Sequence, residues 1–316
     1  MNYKQLTYGQ RYQIYALKQA LQTNKRIAEI VGVHPSTVGR ELKRNKGKKG
    51  YRPKQAERKA ERRKHGVRKR IEAKTWEYIE GKIKIEWSPE QISGRLKSEY
   101  GTKVSHEWIY QYILADKRAG GILYQHLRCQ KKRKKRYGSN ERRGSLPNRR
   151  SIEERPPIAA DRSRIGDWES DTIIGKRHKQ AIVTIVDRKS RLVVMKKVNR
   201  RTSEAVSQAT IQLLSTRKCE TLTSDNGKEF AEHQLVAKTL NLDYFFAHPF
   251  SAWERGTNEN TNGLIRQYFP KDTDFTSITP DDIMVVMDRI NNRPRKCLGF
   301  QTPNEVYLLH SNSCTC

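Results

Sequence analysis

The sequence predicts a multidomain protein, with N-terminal all-α helix-turn-helix modules followed by an α/β core that contains a mixed sheet. Three observations support this fold class. Apolar residues recur at helical spacing in two separate blocks before residue 115. Three short apolar runs typical of strands follow one another between residues 167 and 198. After them, helix-like and strand-like segments alternate, which is the pattern of a sheet covered by helices.

Positive charge is concentrated in the first half of the chain. The net charge is +30 over 316 residues, and residues 1–150 hold 40 Lys and Arg against 13 Asp and Glu. The remaining residues hold 24 against 21. A basic half of this kind predicts binding to a polyanion, with an affinity that falls as salt rises. No long apolar run is present and the first residues are too polar for a signal peptide, so we expect a cytoplasmic, nucleoid-associated protein with no membrane partner.

Residues 1–50 have the pattern of a helix-turn-helix domain. The predicted helices cover residues 8–21, 25–31 and 35–44. Gly32 supplies the turn, and Pro35 suits the first turn of the third helix, where its missing N–H is tolerated. The third helix would present four side chains to the major groove of DNA: Ser36, Thr37, Arg40 and Lys43. The plain alternative is a helical hairpin with no role in DNA binding.

The next segments predict a connector, a second module and a linker. Residues 51–74 form a basic helical connector or a solvated helix, residues 75–115 a second helix-turn-helix-like domain, and residues 116–160 a basic flexible linker that orders on DNA. In the second module, Ser88 begins a capping box and Gly101 ends the same helix. Its aromatic residues, among them Trp108, are expected in the core.

The sequence predicts that residues 161–310 form the α/β core and that residues 311–316 form a tail. The runs DWESDTIIGK, AIVTIVD and RLVVMKKV predict three strands, which should be antiparallel neighbours because residues 188–190 are short enough for a hairpin. Thr202 caps the next predicted helix. The following elements are a strand ending at Asp225, a helix over 230–240, a strand over 243–248, a helix over 253–269, and closing helices over 280–292 and 302–309.

Three carboxylates of this core are candidates for metal binding. Asp171 lies in the first strand, Asp225 at the end of a later strand before Asn-Gly, and Glu259 on a helix 33 intervening residues further on. Cleaving or joining a phosphodiester needs an activated nucleophile and a stabilised leaving oxygen, and two divalent ions held by carboxylates supply both. Arg266 lies two helical turns beyond Glu259, on the same face, and would contact DNA phosphate. The competing carboxylates nearby are Asp167, Glu169, Asp187, Glu229 and Glu254, with Glu169 the strongest among them.

Four blocks of the core resemble one protein family. DWESDTIIG, TSDNGKEF, WERGTNENTNGLIRQYFPK and INNRPRKCLGFQTPNEV are similar to the IS-thirty family of bacterial insertion-sequence transposases. That family belongs to the DDE recombinases, whose core is ribonuclease-H-like, as in retroviral integrases. The resemblance implies that Asp171, Asp225 and Glu259 are the catalytic, metal-binding triad. It also implies Mg²⁺ as cofactor, with two ions expected and Mn²⁺ as a substitute.

The resemblance implies a DNA transposase that binds the terminal inverted repeats of its element, then cleaves and transfers DNA strands. The expected partners are double-stranded DNA, at the element ends and the target, and further copies of the chain in a homodimer or higher oligomer. No Gly-rich phosphate loop is present, so we expect no nucleotide cofactor. One alternative is a catalytically inactive, transposase-derived DNA-binding regulator. Another is a ribonuclease-H-like nuclease, which would hardly need sequence-reading domains. A retroviral-type integrase is disfavoured by the paired helix-turn-helix candidates and by the absence of a Cys/His zinc module.

The five cysteines do not have the paired spacing of a zinc site. They are Cys129, Cys219, Cys297, Cys314 and Cys316. We expect reduced thiols, with the last two as incidental residues of the tail.

Overall fold

The computed structural model describes residues 5–66, 71–128, 146–176, 180–249 and 251–311. The chain divides into two compact units, residues 1–72 and 73–316. Residues 129–145 of the predicted linker, which include Cys129, and the end of the tail, which carries Cys314 and Cys316, lie outside the described residues. Within the described ranges, every helix is too short or too polar to cross a membrane, and Cys219 and Cys297 are free thiols.

The described residues of the first unit form four helices. They are α1 (Tyr8–Gln19), α2 (Asn24–Val31), α3 (Pro35–Asn45) and α4 (Pro53–Gly66). Thr7 and Thr23 cap α1 and α2 by accepting backbone N–H bonds, and Gly32 ends α2 with a φ of 71°, which favours glycine. Ile14, Ile27 and Val38, one from each of the first three helices, are fully buried. The three predicted helices of this unit are therefore present with nearly the predicted bounds.

A buried charged residue ties α4 to the first unit. The side chain of Arg11 is 5% exposed, and its Nε donates to Glu41 Oε1 at 2.9 Å. Its Nη1 donates to Glu57 Oε2 at 2.7 Å and to the carbonyl of Leu6 at 2.6 Å. Because Glu57 belongs to α4, the helix predicted as a connector packs within the first unit. Two carboxylates and one carbonyl satisfy the buried guanidinium.

The second unit begins with three helices. They are α5 (Ala73–Lys84), α6 (Pro89–Tyr100) and α7 (His106–Arg118), and a short 3₁₀ turn follows at Leu123–His126. The capping box of Ser88 and the left-handed Gly101 are present as predicted. Trp108 is 42% exposed, so its predicted core position is wrong. Ile109 and Ile113 form the buried face of α7, and Trp108, one residue before Ile109, is turned about 100° away from that face.

The core contains a five-stranded mixed sheet. Its strands are β1 (Asp167–Ile174), β2 (Ala181–Asp187), β3 (Val193–Val198), β4 (Thr221–Ser224) and β5 (Asp243–Phe246), in the order β3-β2-β1-β4-β5. β1, β2 and β3 pair antiparallel, whereas β1 with β4 and β4 with β5 pair parallel. Helix-rich N-terminal modules followed by an α/β core with a mixed sheet are the predicted fold class, which is confirmed.

Helices cover both faces of this sheet. They are α8 (Pro157–Ala160), α9 (Ser203–Leu214), α10 (His233–Leu240), α11 (Gly256–Tyr268), α12 (Pro280–Asn291) and α13 (Pro303–Ser311). Val183 and Ile185 of β2 pack in the cluster that includes residues of α9 and α10. Ile182 and Val186, on the other face, pack in the cluster that includes residues of α11 and α12. Every residue of β2 is buried, as a central strand between two helical layers requires.

Two predicted helices begin later than expected. The segment at 228–230 is a 3₁₀ turn, and α10 starts only at His233. This turn buries both Glu229 and Phe230, which a continuous helix would place about 100° apart. A 3₁₀ turn at Ala252–Arg255 likewise precedes α11.

We predict that Arg11→Met lowers the free energy of unfolding of the first unit by about 3 kcal/mol or more, because it leaves the buried Glu41 carboxylate without its cation. Urea titration of the full chain, followed by circular dichroism, measures this loss. Arg26→Met is the matched control, since the Arg26–Glu29 pair is mostly exposed and should contribute less than about 1 kcal/mol. Equal losses in the two variants would contradict the role given to Arg11.

Candidate active site

Asp171 and Asp225 lie side by side at adjacent parallel strands. The β1–β4 register pairs Glu169 with Thr223, so its continuation by two residues brings Asp225 opposite Asp171. Both carboxylates face one guanidinium. Arg255 Nη1 lies 3.7 Å from Asp171 Oδ2, and Arg255 Nη2 lies 3.5 Å from Asp225 Oδ2. The fold therefore brings two of the three predicted carboxylates to a single cationic group.

Both oxygens of Asp171 are held by hydrogen bonds. The backbone N–H of Thr172 donates to Oδ1 at 2.8 Å, and Asn262 Nδ2 donates to Oδ2 at 2.8 Å. Asn262 is itself oriented, because its Oδ1 accepts from Thr184 Oγ1 at 3.2 Å. Asn262 lies on α11 and Thr184 on β2, so two neighbouring elements fix the carboxylate in one orientation. A carboxylate held in this way needs little rearrangement to bind a cation.

The loop after β4 packs its carboxylates closely around Gly227 and adds a third acidic side chain. Gly227 donates its N–H to Asp225 Oδ1 at 2.9 Å. A Cβ at Gly227 would lie 2.9 Å from Asp225 Oδ1 and 2.5 Å from Glu229 Oε2. Glu229 is 8% exposed, and its Oε1 accepts from Thr172 Oγ1 at 3.0 Å. Three acidic side chains thus lie around the end of β4, with Arg255 facing two of them.

Burial raises the pKa of Asp171 to about 6. The positive charge of Arg255 opposes this shift, and the negative charges of Asp225 and Glu229 add to it. The ionised form of Asp171 is therefore held at a free-energy cost that nearby cations relieve. Perturbed carboxylates of this kind concentrate at functional sites.

Glu259 is exposed and lies on α11. Arg255, Glu259, Asn262 and Arg266 are spaced i, i+4, i+7 and i+11, which places them along one side of a helix. Arg255 and Asn262 both face Asp171, so Glu259 lies on the side of α11 that faces the aspartates. Its carboxylate does not join them: in the described part of the chain, no group of three or more His, Cys, Asp or Glu side chains is placed to hold a metal ion.

Arg266 bonds backbone carbonyls at the ends of β1 and α11. Its Nη2 donates to the carbonyl of Ile174 at 2.8 Å, and its Nη1 lies 3.3 Å from the carbonyls of Phe269 and Pro270. Burial lowers the pKa of this guanidinium. The contact between Arg266 and DNA phosphate stays a prediction, since the guanidinium is here bonded to carbonyls at the ends of β1 and α11.

The strongest competing carboxylate has structural partners. Glu169 is fully buried, pairs with Arg188 and accepts the backbone N–H of Asn258 at 3.0 Å. Asp187 is also fully buried and holds the turn before β3 by accepting from the N–H and the hydroxyl of Ser190. Both carboxylates are therefore bonded to structural partners.

The predicted DNA-reading residues lie on the outer side of α3. Ser36, Arg40 and Lys43 are exposed and Thr37 is partly exposed, whereas Val38 is buried against α1 and α2. This arrangement allows α3 to present its polar side to DNA. Whether these four side chains contact bases stays a prediction.

Sequence reasoning missed Arg255 and Asn262 and gave Glu229 no role. A signal was present in WERGTNENTNGLIR, where Arg255, Glu259, Asn262 and Arg266 repeat at helical spacing. Glu229, four residues after Asp225, could be identified only once the loop was known to fold back on Gly227.

The chain is similar along nearly its whole length to proteins named as transposases. It is 44% identical to the transposase for insertion sequence element IS4351 of Bacteroides fragilis, over 98% of each chain. It is 35% identical to the transposase InsI for insertion sequence element IS30A of Escherichia coli (strain K12), over 95% of this chain and 82% of that protein. The transposase for insertion sequence element IS1086 of Cupriavidus metallidurans is also 35% identical, over 96% of this chain and 94% of that protein.

Two further comparisons concern parts of the chain. Residues 2–45 match a family described as "Helix-turn-helix domain", which confirms the prediction for the N-terminal module. Among solved structures, the catalytic core domain of BIV integrase aligns with 46% of this chain and 95% of its own length, at 21% identity and a TM-score of 0.39.

We predict that Asp171→Asn stabilises the protein near neutral pH in EDTA. The pKa of Asp171 is raised above its unfolded value, so ionisation destabilises the folded state as pH rises from about 4 to about 6, and the penalty is complete above that window. The amide keeps the shape without the charge, so the variant should gain about 1–2 kcal/mol at pH 7. Unfolding titrations at pH 4, 5, 6 and 7 test this. A variant less stable than the wild type at pH 7 would contradict it.

Proposed function

The chain belongs to the IS30 family of insertion-sequence transposases, and on that premise we propose that it transposes its own element. It binds the terminal inverted repeats, cleaves a DNA strand at each end, and joins the freed 3′-hydroxyls to target DNA. The observation that carries this proposal is the convergence of Asp171 and Asp225 on one cation at adjacent parallel strands. Two carboxylates held this close are suited to divalent ions at a phosphodiester.

The residues at the site fit a divalent cation. Arg255 approaches the two aspartates at 3.5 and 3.7 Å, which is longer than the roughly 2.7–2.9 Å of a charge-assisted hydrogen bond. Its Nε is buried and has no hydrogen-bond partner among the described residues. The guanidinium thus neutralises the pair only loosely, and hard carboxylate oxygens prefer Mg²⁺ or Mn²⁺. Asp171, Asp225 and Glu259 would hold the ions, with Glu259 turning inward from its exposed position on α11.

The proposed division of labour follows from the contacts. Bound divalent ions would lower the pKa of the attacking water or 3′-hydroxyl and offset the charge that develops on the phosphate. Thr172 and Asn262 hold the Asp171 carboxylate in one orientation. Gly227 holds that of Asp225. Thr172 lies on β1 and Asn262 on α11, so two elements of the core would keep the Asp171 carboxylate in place when DNA binds.

DNA is held by the basic N-terminal half. The exposed side of α3, with Arg40 and Lys43, would read the inverted repeat, and the second three-helix module would add contacts to the backbone. Two DNA ends must be cut and joined together, so we propose that at least two protomers act on them. Sizing of the protein–DNA complex measures this, and full activity from a complex with one protomer would contradict it.

We predict that Asp225→Asn abolishes cleavage and joining but leaves binding to the element ends intact. The assay incubates each protein with DNA that carries the flanking ends of the gene, in Mg²⁺ or EDTA, and maps nicks and joined products. Loss of one ligand to the ions should reduce the rate by about a thousandfold or more. Asp161→Asn, an exposed carboxylate outside the site, is the control and should retain activity.

The outcomes of this assay separate the alternatives. Metal-dependent cleavage and joining, lost in Asp225→Asn, support the transposase. End binding without cleavage by the wild-type protein would favour a DNA-binding regulator. Cleavage without joining would favour a nuclease.

We also predict that Arg255→Gln tightens metal binding by about tenfold, because it removes a positive charge that competes with the ion for the aspartates. The rise in melting temperature with Mn²⁺ concentration, measured without DNA, gives the apparent dissociation constant. Arg289→Gln changes the net charge equally on an exposed part of α12 and should leave that constant unchanged. Weaker metal binding by Arg255→Gln would mean that the guanidinium supports the ions rather than competing with them.

A further inference from the structure

The described end of the basic linker is fixed along the edge of the core sheet. Leu146 is 8% exposed and belongs to the same apolar cluster as Phe246 of β5. Ser151 forms a parallel bridge with Phe246, whose N–H donates to the carbonyl of Arg150 at 2.9 Å. β5 is the last strand of the sheet, so residues 146–151 cover its otherwise open edge. Two linker arginines, Arg149 and Arg150, thereby take defined positions on the catalytic core.

Arg149 reaches the loop that carries Asp225. Its Nη1 donates to Asn226 Oδ1 at 2.6 Å, and Asn226 directly follows Asp225. Asn226 is fixed from its other side as well, because its Nδ2 donates to the carbonyl of Ala247 at 2.7 Å, just beyond β5. One amide therefore links the linker, the Asp225 loop and the end of β5.

The two neighbouring arginines differ in their partners: Arg150 pairs with carboxylates, and Arg149 bonds a neutral amide. Arg150 Nη1 bonds Asp243 at 2.6 Å and its Nε lies 3.3 Å from Glu154, so two carboxylates neutralise it. Arg149 is exposed, and its partner is the neutral amide of Asn226. Among the described residues, no carboxylate lies within 4.0 Å of the Arg149 guanidinium. A guanidinium has five N–H donors in a fork that matches phosphate oxygens, and one bond to Asn226 leaves the others available.

We propose that Arg149 binds a backbone phosphate of the DNA strand positioned at Asp225. This inference rests on the proposed function and deepens it, since it names a DNA contact that comes from the linker rather than from α11 or from the helix-turn-helix modules. Arg149 is a positioning residue: its phosphate contact places the strand, and its bond to Asn226 joins that contact to the loop of Asp225. The ligand is one phosphodiester close to the cleaved position, recognised by charge and not by base sequence.

The experiment uses full-length Arg149→Gln and a set of end substrates, each with one neutral methylphosphonate in place of a phosphate near the cut. Cleavage is followed at DNA concentrations below saturation. The cleavage rate of the wild-type protein should fall about tenfold when one particular phosphate is replaced, which is the effect expected for the loss of one charged hydrogen bond. Arg149→Gln should cleave unmodified DNA about tenfold more slowly than the wild type. Its rate should not fall further on the substrate with the methylphosphonate at that position. Arg149→Lys, which keeps the charge without the fork, should recover part of the rate.

Arg150→Gln is the matched control, because it removes the same charge from the adjacent residue and should keep the wild-type response to every methylphosphonate. If Arg149→Gln cleaves at the wild-type rate, or stays sensitive at the same position as the wild type, the inference is wrong. That failure differs from failure of the proposed function, in which the wild-type protein does not cleave unmodified DNA. Melting curves of the variants without DNA separate a lost contact from a misfolded chain, and a folded Arg149→Lys still tests the proposal if Arg149→Gln does not fold.

Discussion

The site depends on holding two like charges together, Asp171 and Asp225, at neighbouring strands of one sheet. Parallel pairing of β1 with β4 in their observed register places the two residues opposite each other. Burial raises the pKa of Asp171, and the positive charge of Arg255 opposes this shift. Two acidic side chains held close together destabilise the folded state and favour the binding of a cation. The surrounding core pays for this arrangement with the apolar clusters on both faces of the sheet.

Helix α11 has an apolar side that packs in the core and a polar side that faces the aspartates. Leu264 and Ile265 anchor it in the apolar cluster shared with β2 and α12. Asn262 on its polar side and Arg255, the residue just before its first turn, both contact Asp171, and Glu259 lies between them along the chain. Because the apolar residues fix the rotation of the helix, they also set which polar residues face the aspartates. A mutation on the buried side of α11 would therefore change the positions of the polar residues at the site.

Much of the fold could be predicted because local patterns determine it. AIVTIVD is apolar throughout and becomes a strand buried on both faces, and the capping box at Ser88 begins α6 as expected. The misses have a common cause in long-range contacts. No local pattern marks Arg11 as buried, because its partner Glu57 lies 46 residues away and brings α4 into the first unit. Trp108 was assigned to the core by residue type, whereas the register of Ile109 and Ile113 turns it outward. The boundaries proposed for the separate domains stay predictions.

The candidate site was predictable in its carboxylates and not in their partners. Asp171 and Asp225 stand out from the sequence as acids at strand positions, and the structure places them together. Arg255 lies in a polar run where no local pattern assigns it a partner. The measurement that tests the account most directly is anomalous diffraction from Mn²⁺-soaked crystals of the full chain. We predict a Mn²⁺ peak between the carboxylates of Asp171 and Asp225, with Arg255 turned away. A bound Mn²⁺ elsewhere, with Arg255 still between the two aspartates, would contradict it.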